Sequence, residues 1–142
     1  HAAYDTIVAN PPYTPHGRGL VSPVADRAAA RSETTCTLAD VVEVARRRLD
    51  PRGRFLLVLP AARLAEAFAT LASAAFAPLC VRSVHSFADE PARRVLITAG
   101  RGASAHDVEV AAPLVVHGED RRTFTREAAG IVEGEGLPAA CG

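Results

Sequence analysis

Two prolines fix the first structural element of this chain. The apolar run from Tyr4 to Ala9, β-branched at its centre, stops against Asn10-Pro11-Pro12-Tyr13. Proline has no N–H to give to a sheet, so the run reads as a short strand that ends abruptly in a loop. A continuous apolar run of this length predicts a parallel strand covered on both faces. Residues 14–32 mix Pro, Gly, Arg and Ser with weak periodicity. They read as a long loop, of the kind that carries function in a compact domain.

From Leu38 the period changes. Leu38, Val41, Val42, Ala45 and Leu49 recur at helical spacing, with Thr37 as N-cap, Asp40 in the first turn and Arg46, Arg47 and Arg48 in the last. Asp50-Pro51-Arg52-Gly53 ends that helix and turns the chain. Residues 55–59, Phe-Leu-Leu-Val-Leu, read as a second strand buried on both faces, and strand, helix, strand is a right-handed crossover by default. Pro60 opens a further helix whose face, Leu64, Phe68, Leu71 and Ala75, keeps the helical period as far as Pro78. Residues 79–84 and 94–99 predict strands joined around Asp89-Glu90-Pro91 without a helix, which places an antiparallel pair at the sheet's edge. Beyond Gly100 and Gly102, residues 108–110 and 114–116 are short strand-like pieces, and 134–142 has tail composition. The pattern is α/β: an open, mostly parallel sheet with an antiparallel edge.

Composition bounds the function classes. The chain has 142 residues, 49% hydrophobic and 23% charged, enough for one core and too apolar for disorder. Its formal net charge is zero, so bulk electrostatics do not select a nucleic-acid partner. All sixteen basic residues are arginine, whose planar fork suits phosphate and bases, although a chain rich in Ala and Arg and free of Lys first reflects a GC-rich genome. Cys36, Cys80 and Cys141 are odd in number and far apart, and His1, His16, His85, His106 and His117 lack ligand spacing. The sequence therefore predicts neither a disulfide framework nor a metal site. His85 and His117 read as ordinary strand or edge residues. Without a signal segment or a long apolar run, the expected location is the cytoplasm. The chain begins at His1 and contains no methionine, which points to a segment of a longer protein.

The proline loop carries chemistry. A conjugated amine such as that of adenine is a poor nucleophile because its lone pair is delocalised into the ring. Two acceptors receiving its two N–H bonds would draw the nitrogen toward tetrahedral geometry. The Asn10 side-chain carbonyl and the Pro11 main-chain carbonyl suit that task, and the rings of Pro11 and Pro12 hold the backbone in place. Tyr13 offers a face on which a base can stack.

With these four residues the sequence resembles the adenine-N6 methyltransferases that act on adenosine-37 of valine tRNA, in the AdoMet-dependent Rossmann-like superfamily. The likeness extends through Ala30-Arg31-Ser32-Glu33, Thr37-Leu38-Ala39-Asp40, Pro60-Ala61-Ala62-Arg63-Leu64, Glu90-Pro91-Ala92-Arg93-Arg94-Val95-Leu96, Pro113-Leu114-Val115-Val116 and Phe124-Thr125-Arg126-Glu127. It implies a partial Rossmann-like methyltransferase fold, from the fourth strand of a seven-stranded sheet onward. Residues 1–100 would be the carboxy-terminal half of a catalytic domain, and residues 101–142 a family-specific extension and tail. It implies S-adenosyl-L-methionine as cofactor, met here by Asn10, and structured RNA as substrate. Asn10, Pro11, Pro12 and Tyr13 would be catalytic, with Tyr13, Arg31, Glu33 and Arg63 against the RNA. The family's glycine-rich cofactor loop and ribose-binding acidic residue have no counterpart among these residues, and Gly100-Arg101-Gly102 opens no helix that would serve.

Two alternatives stand beside this. Protein-glutamine methyltransferases carry the same four residues, but usually continue with a Glu-Pro pair and a glycine-rich aspartate segment that residues 14–35 do not show. The missing cofactor strands also fit a non-catalytic RNA-binding or assembly remnant. An uncovered edge at the first strand further predicts self-association.

Overall fold

A computed structural model describes residues 3–11, 36–101 and 107–134. Among these, six strands form one sheet: β1 (Tyr4–Ala9), β2 (Leu49–Pro60), β3 (Phe76–His85), β4 (Arg94–Arg101), β5 (Glu109–Val110) and β6 (Leu114–Val115). The order is β1-β2-β4-β3, and β5 and β6 both pair with the far side of β3. Three helices accompany it, α1 (Leu38–Arg48), α2 (Leu64–Ser73) and α3 (Arg126–Glu133), with a 3-10 turn at Ala61–Arg63.

The mixed, mostly parallel sheet matches the expectation, but its antiparallel strand sits elsewhere. β4 is antiparallel to both β2 and β3 and lies between them, not at an edge. The short connection after β3 fixes the sense of β4 relative to β3. It carries no information about what pairs on the other side.

α1 begins where the sequence places it. The Asp40 N–H donates to Thr37 Oγ1 at 3.2 Å, and the Thr37 N–H donates to Asp40 Oδ2 at 2.8 Å, closing a capping box. Hydrogen bonds from the Thr37 hydroxyl and then its N–H hold the Asp40 carboxyl below its ordinary range. A depressed carboxylate favours folding above its unfolded pKa and loses that effect as the pH falls through its folded one. Thr37→Ala is expected to cost about 1 kcal/mol in thermal unfolding at neutral pH, with the difference from the parent narrowing in acid. At the other end Glu43 receives Arg46 and Arg47, both at 2.7 Å, so the arginine run is a helix end, as expected.

One core lies between the sheet and the α1/α2 layer. Phe55, Leu57 and Leu59 of β2 meet Val95, Ile97 and Ala99 of β4, Val42 and Ala45 of α1, and Ala67 and Leu71 of α2. Phe55 and Phe76 pack as a tilted ring pair with centroids 5.4 Å apart. Leu56 and Val58, on the other face of β2, are only half-buried, so the expected two-sided burial holds for one face. Side chains of paired residues share a face. Val58, Leu96 and Arg82 are partners across β2, β4 and β3, and Arg82 binds Glu127 of α3. α3 therefore lies on the face opposite α1 and α2.

Three local departures have physical causes. β1 was expected to be covered on both faces, yet Tyr4 and Val8 are 53% and 67% exposed, because the helix on their face, α3, packs against β6 at the other end of the sheet. Residues 50–53 do not leave the sheet as a separate turn. They bulge within β2 between the pairs Tyr4 with Leu49 and Thr6 with Arg54. Gly53 is required there, since a Cβ would lie 2.8 Å from the Leu49 side chain and 2.9 Å from the Asp5 carbonyl. Pro78 does not bound α2. The helix ends at Ser73, Ala75 turns the chain with a φ of 58°, and Pro78 lies inside β3 where the pairing with β4 slips. Cys80, buried on β3, is disulfide-bonded, which corrects the expectation from spacing, because separation along the chain does not measure distance in space. Cys36 is free.

Candidate active site

The carboxyl edge of the sheet gathers the loops of interest. Ala9 pairs with Leu57 two residues before β2 reaches its last residues, Pro60 pairs with Arg94, Arg94 with Val84, and His85 with Val115. Asn10, the Ala61–Arg63 turn, the connection 86–93 and the segment from His117 onward therefore all leave the sheet at one edge. In open α/β sheets, ligands bind outside that edge.

Asn10 follows Ala9 at the tip of β1 and is exposed, while Pro11 beside it is buried. The strand supplies rigidity through its parallel pairing with β2 from Thr6 to Ala9. The buried proline anchors the backbone immediately after Asn10. Asn10 thus stands at the sheet's carboxyl edge on a backbone with little freedom to move. Pro12, Tyr13, Arg31 and Glu33 lie outside the described residues.

Arg63 stands at the end of the 3-10 turn that follows β2, with its side chain 28% exposed. Its Nε donates to Glu66 Oε2 at 2.7 Å, and this bond holds the Glu66 carboxyl below its ordinary range. Arg63 thus reaches the carboxyl edge already engaged, and a phosphate there would compete with Glu66. Among the described residues no group of three or more His, Cys, Asp or Glu is placed to hold a metal ion, and no helix is long and apolar enough to cross a membrane.

The structure also brings together residues that lie far apart along the chain. Phe87, His117 and Phe124 stack in series, with centroids 5.4 Å apart at each step. Arg121 lies 4.3 Å above the Phe87 ring and bridges Asp89 at 2.6 Å and Glu90 at 3.1 Å. Asp120 folds the loop by accepting from the Arg122 and Thr123 N–H groups, which lower its pKa. His117 pairs with Phe124 in an isolated antiparallel bridge, an edge position that also carries the ring contacts. His85 is bonded to the Glu90 carbonyl and the Ser83 hydroxyl.

Comparison with known proteins places this arrangement. No family model matches the chain. It is 38% identical over 123 residues to the tRNA1(Val) (adenine(37)-N6)-methyltransferase of Dickeya chrysanthemi, covering 84% of this chain and 47% of that protein. To the protein of the same name from Aeromonas salmonicida it is 37% identical over 99 residues, covering 70% and 41%. The crystal structure of a predicted O-methyltransferase, Atu636 from Agrobacterium tumefaciens, superposes with a TM-score of 0.72 at 22% identity, over 95% of this chain and 53% of that one, and shows the shared fold. The chain thus spans about half the length of the curated relatives it matches. In sequence it is similar to about half of the tRNA1(Val) (adenine(37)-N6)-methyltransferases, and in fold to part of a predicted O-methyltransferase.

Proposed function

We propose that this chain is the carboxy-terminal half of an AdoMet-dependent enzyme that methylates the N6 amine of an adenosine in tRNA. The observation that carries the reading is Asn10, exposed at the tip of a rigid strand with a buried proline behind it. Residues 101–142 serve in this reading as the family's extension, and the cytoplasm is where such a substrate is met.

S-adenosyl-L-methionine would supply an electrophilic methyl group. The described residues fit one side of its site: Asn10 lies at the free edge of the sheet, where β1 has no second partner among the described residues. The segments that pair there in the whole protein would bring the remaining contacts. Asn10 Oδ1 and the Pro11 carbonyl would each accept one N–H of the amine, localising its lone pair and aiming it away from the ring. As positive charge builds on that nitrogen, both carbonyl dipoles stabilise the transition state more than the ground state. In this reading Pro12 would hold the second carbonyl, Tyr13 would stack on the base, and Arg31, Glu33 and Arg63 would contact the RNA.

The test is the identity of the product. A protein joining this chain to a cofactor-binding half, incubated with tRNA and isotope-labelled AdoMet, should yield labelled N6-methyladenosine on nucleoside mass spectrometry. Label appearing instead in glutamine side chains of a protein substrate would overturn the reading. The 142-residue chain alone should give no tight binding of AdoMet in calorimetry, since its described residues offer one wall of the pocket.

A further inference from the structure

The turns 86–93 and 117–124 enclose a cavity of about 240 Å³ lined by Phe87, Asp89, His117, Glu119 and Arg121. The methyl-transfer chemistry does not use it. We infer that this cleft and the adjoining Phe124 form a second RNA-contact subsite that takes one unpaired nucleobase. The inference rests on the reading of the substrate as RNA and names where on the protein a second nucleotide is held.

Four observations point to a planar, hydrogen-bonding ligand. The Phe87, His117 and Phe124 rings form a continuous ladder whose outermost member, Phe124, is 50% exposed. An exposed aromatic face at the end of a fixed stack is a platform for a base, and any base will serve because each has a π-face. Nδ1 of His117, in the wall of the cleft, is shielded from solvent and makes no hydrogen bond among the described residues, so the wall carries a polar atom without a protein partner. Asp89 and Glu119 offer carboxylate oxygens to an exocyclic amine.

The fourth observation is charge. Arg121 is already neutralised by Asp89 and Glu90, so the cleft itself does not suit a phosphate. Arg122 and Arg126 flank Phe124, are exposed, and are in no ion pair among the described residues. They can receive the phosphates on either side of a stacked nucleotide. The subsite shares the carboxyl edge with Asn10, four strand spacings away across β2, β4, β3 and β6. At about 4.8 Å per spacing the two are roughly 19 Å apart, a span that a few nucleotides of one RNA loop can bridge.

The chain contains no tryptophan, so Phe124→Trp places a single emitter on the platform. Adding a short unpaired RNA oligonucleotide to this 142-residue variant at low salt is expected to quench its fluorescence, and the same strand annealed to its complement is not. Phe124→Ala should weaken binding of the labelled oligonucleotide about ten-fold, the scale of one base–aromatic stack. Arg47→Ala, which removes a charge from α1, should leave binding unchanged. Emission that stays constant through saturation, Phe124→Ala binding as tightly as the parent, or no RNA binding at all would each overturn the subsite. Quenching in this variant, with no N6-methyladenosine formed by the protein joined to a cofactor-binding half, would reject the chemistry and leave the subsite standing. Methylation without quenching would do the reverse.

Discussion

Replacing Asn10 by alanine in the catalytically complete protein is expected to lower kcat for adenosine methylation by about 100- to 1,000-fold, the cost of removing one preorganised dipole from a transition state. Affinity for AdoMet should change little, because the side-chain carbonyl acts mainly on the amine. Asn10 is exposed and belongs to no part of the core, and an unchanged thermal midpoint is the control that the substitution acts on chemistry. Asn10→Asp keeps acceptor oxygens in the same place and should retain more turnover than alanine. Single-turnover rates by nucleoside mass spectrometry, with calorimetry for the cofactor, separate the two effects. Undiminished turnover in Asn10→Ala would reject the role assigned to this residue. A loss of cofactor affinity as large as the loss of rate would mean that Asn10 acts chiefly by binding the cofactor.

Local signals in the sequence were read correctly where the physics is local. β1 spans the six residues before Asn10, α1 starts at the Thr37 cap, and the face of α2 follows its period through Leu64, Phe68 and Leu71, though not to Ala75, which is exposed beyond the helix end. What failed depended on neighbours. An apolar run reports that a strand can be buried, and β1 shows that it need not be: Val8 lies open because the helix on its face, α3, packs against β6 at the far end of the sheet. Pro78 carries a strong breaking signal, yet β3 absorbs it by slipping its register against β4. α3 was missed although Thr125 caps it by accepting from the Ala128 N–H and Gly134 ends it with a φ of 87°. Its eight residues are too few for a convincing period. The aromatic ladder had no sequence signal, since Phe87 and His117 come from connections that meet only because β3 and β6 are parallel partners. Of the residues expected around the amine, Asn10 and Pro11 were legible from the strand and its stop. Arg63 was legible in place, but not in its commitment to Glu66.

The second large effect is expected far from Asn10. Arg82 is 5% exposed, and its guanidinium donates to the Ala112 carbonyl at 2.8 Å and to Glu127 Oε1 at 2.6 Å. Glu127→Ala leaves that buried cation with one neutral acceptor. Removing one member of a buried pair costs about 3 kcal/mol or more, and because Glu127 is itself a third exposed, water can enter and hold the loss near the lower figure. For a chain of this size the unfolding midpoint should fall by roughly 10 °C. Arg82→Met removes the charge together with its need for a partner and should cost about 1 kcal/mol. In the double variant the Glu127 substitution should add little. Equal penalties for the two single variants, or additive ones in the double, would show that the pair is not coupled through an uncompensated charge. Glu127 lies in the first turn of α3, three residues after Phe124, so loosening this anchor should also weaken binding of unpaired RNA. Arg82→Met, which keeps the packing beneath α3, should preserve more of that binding, and it is the comparison of these two variants that links the buried pair to the aromatic platform.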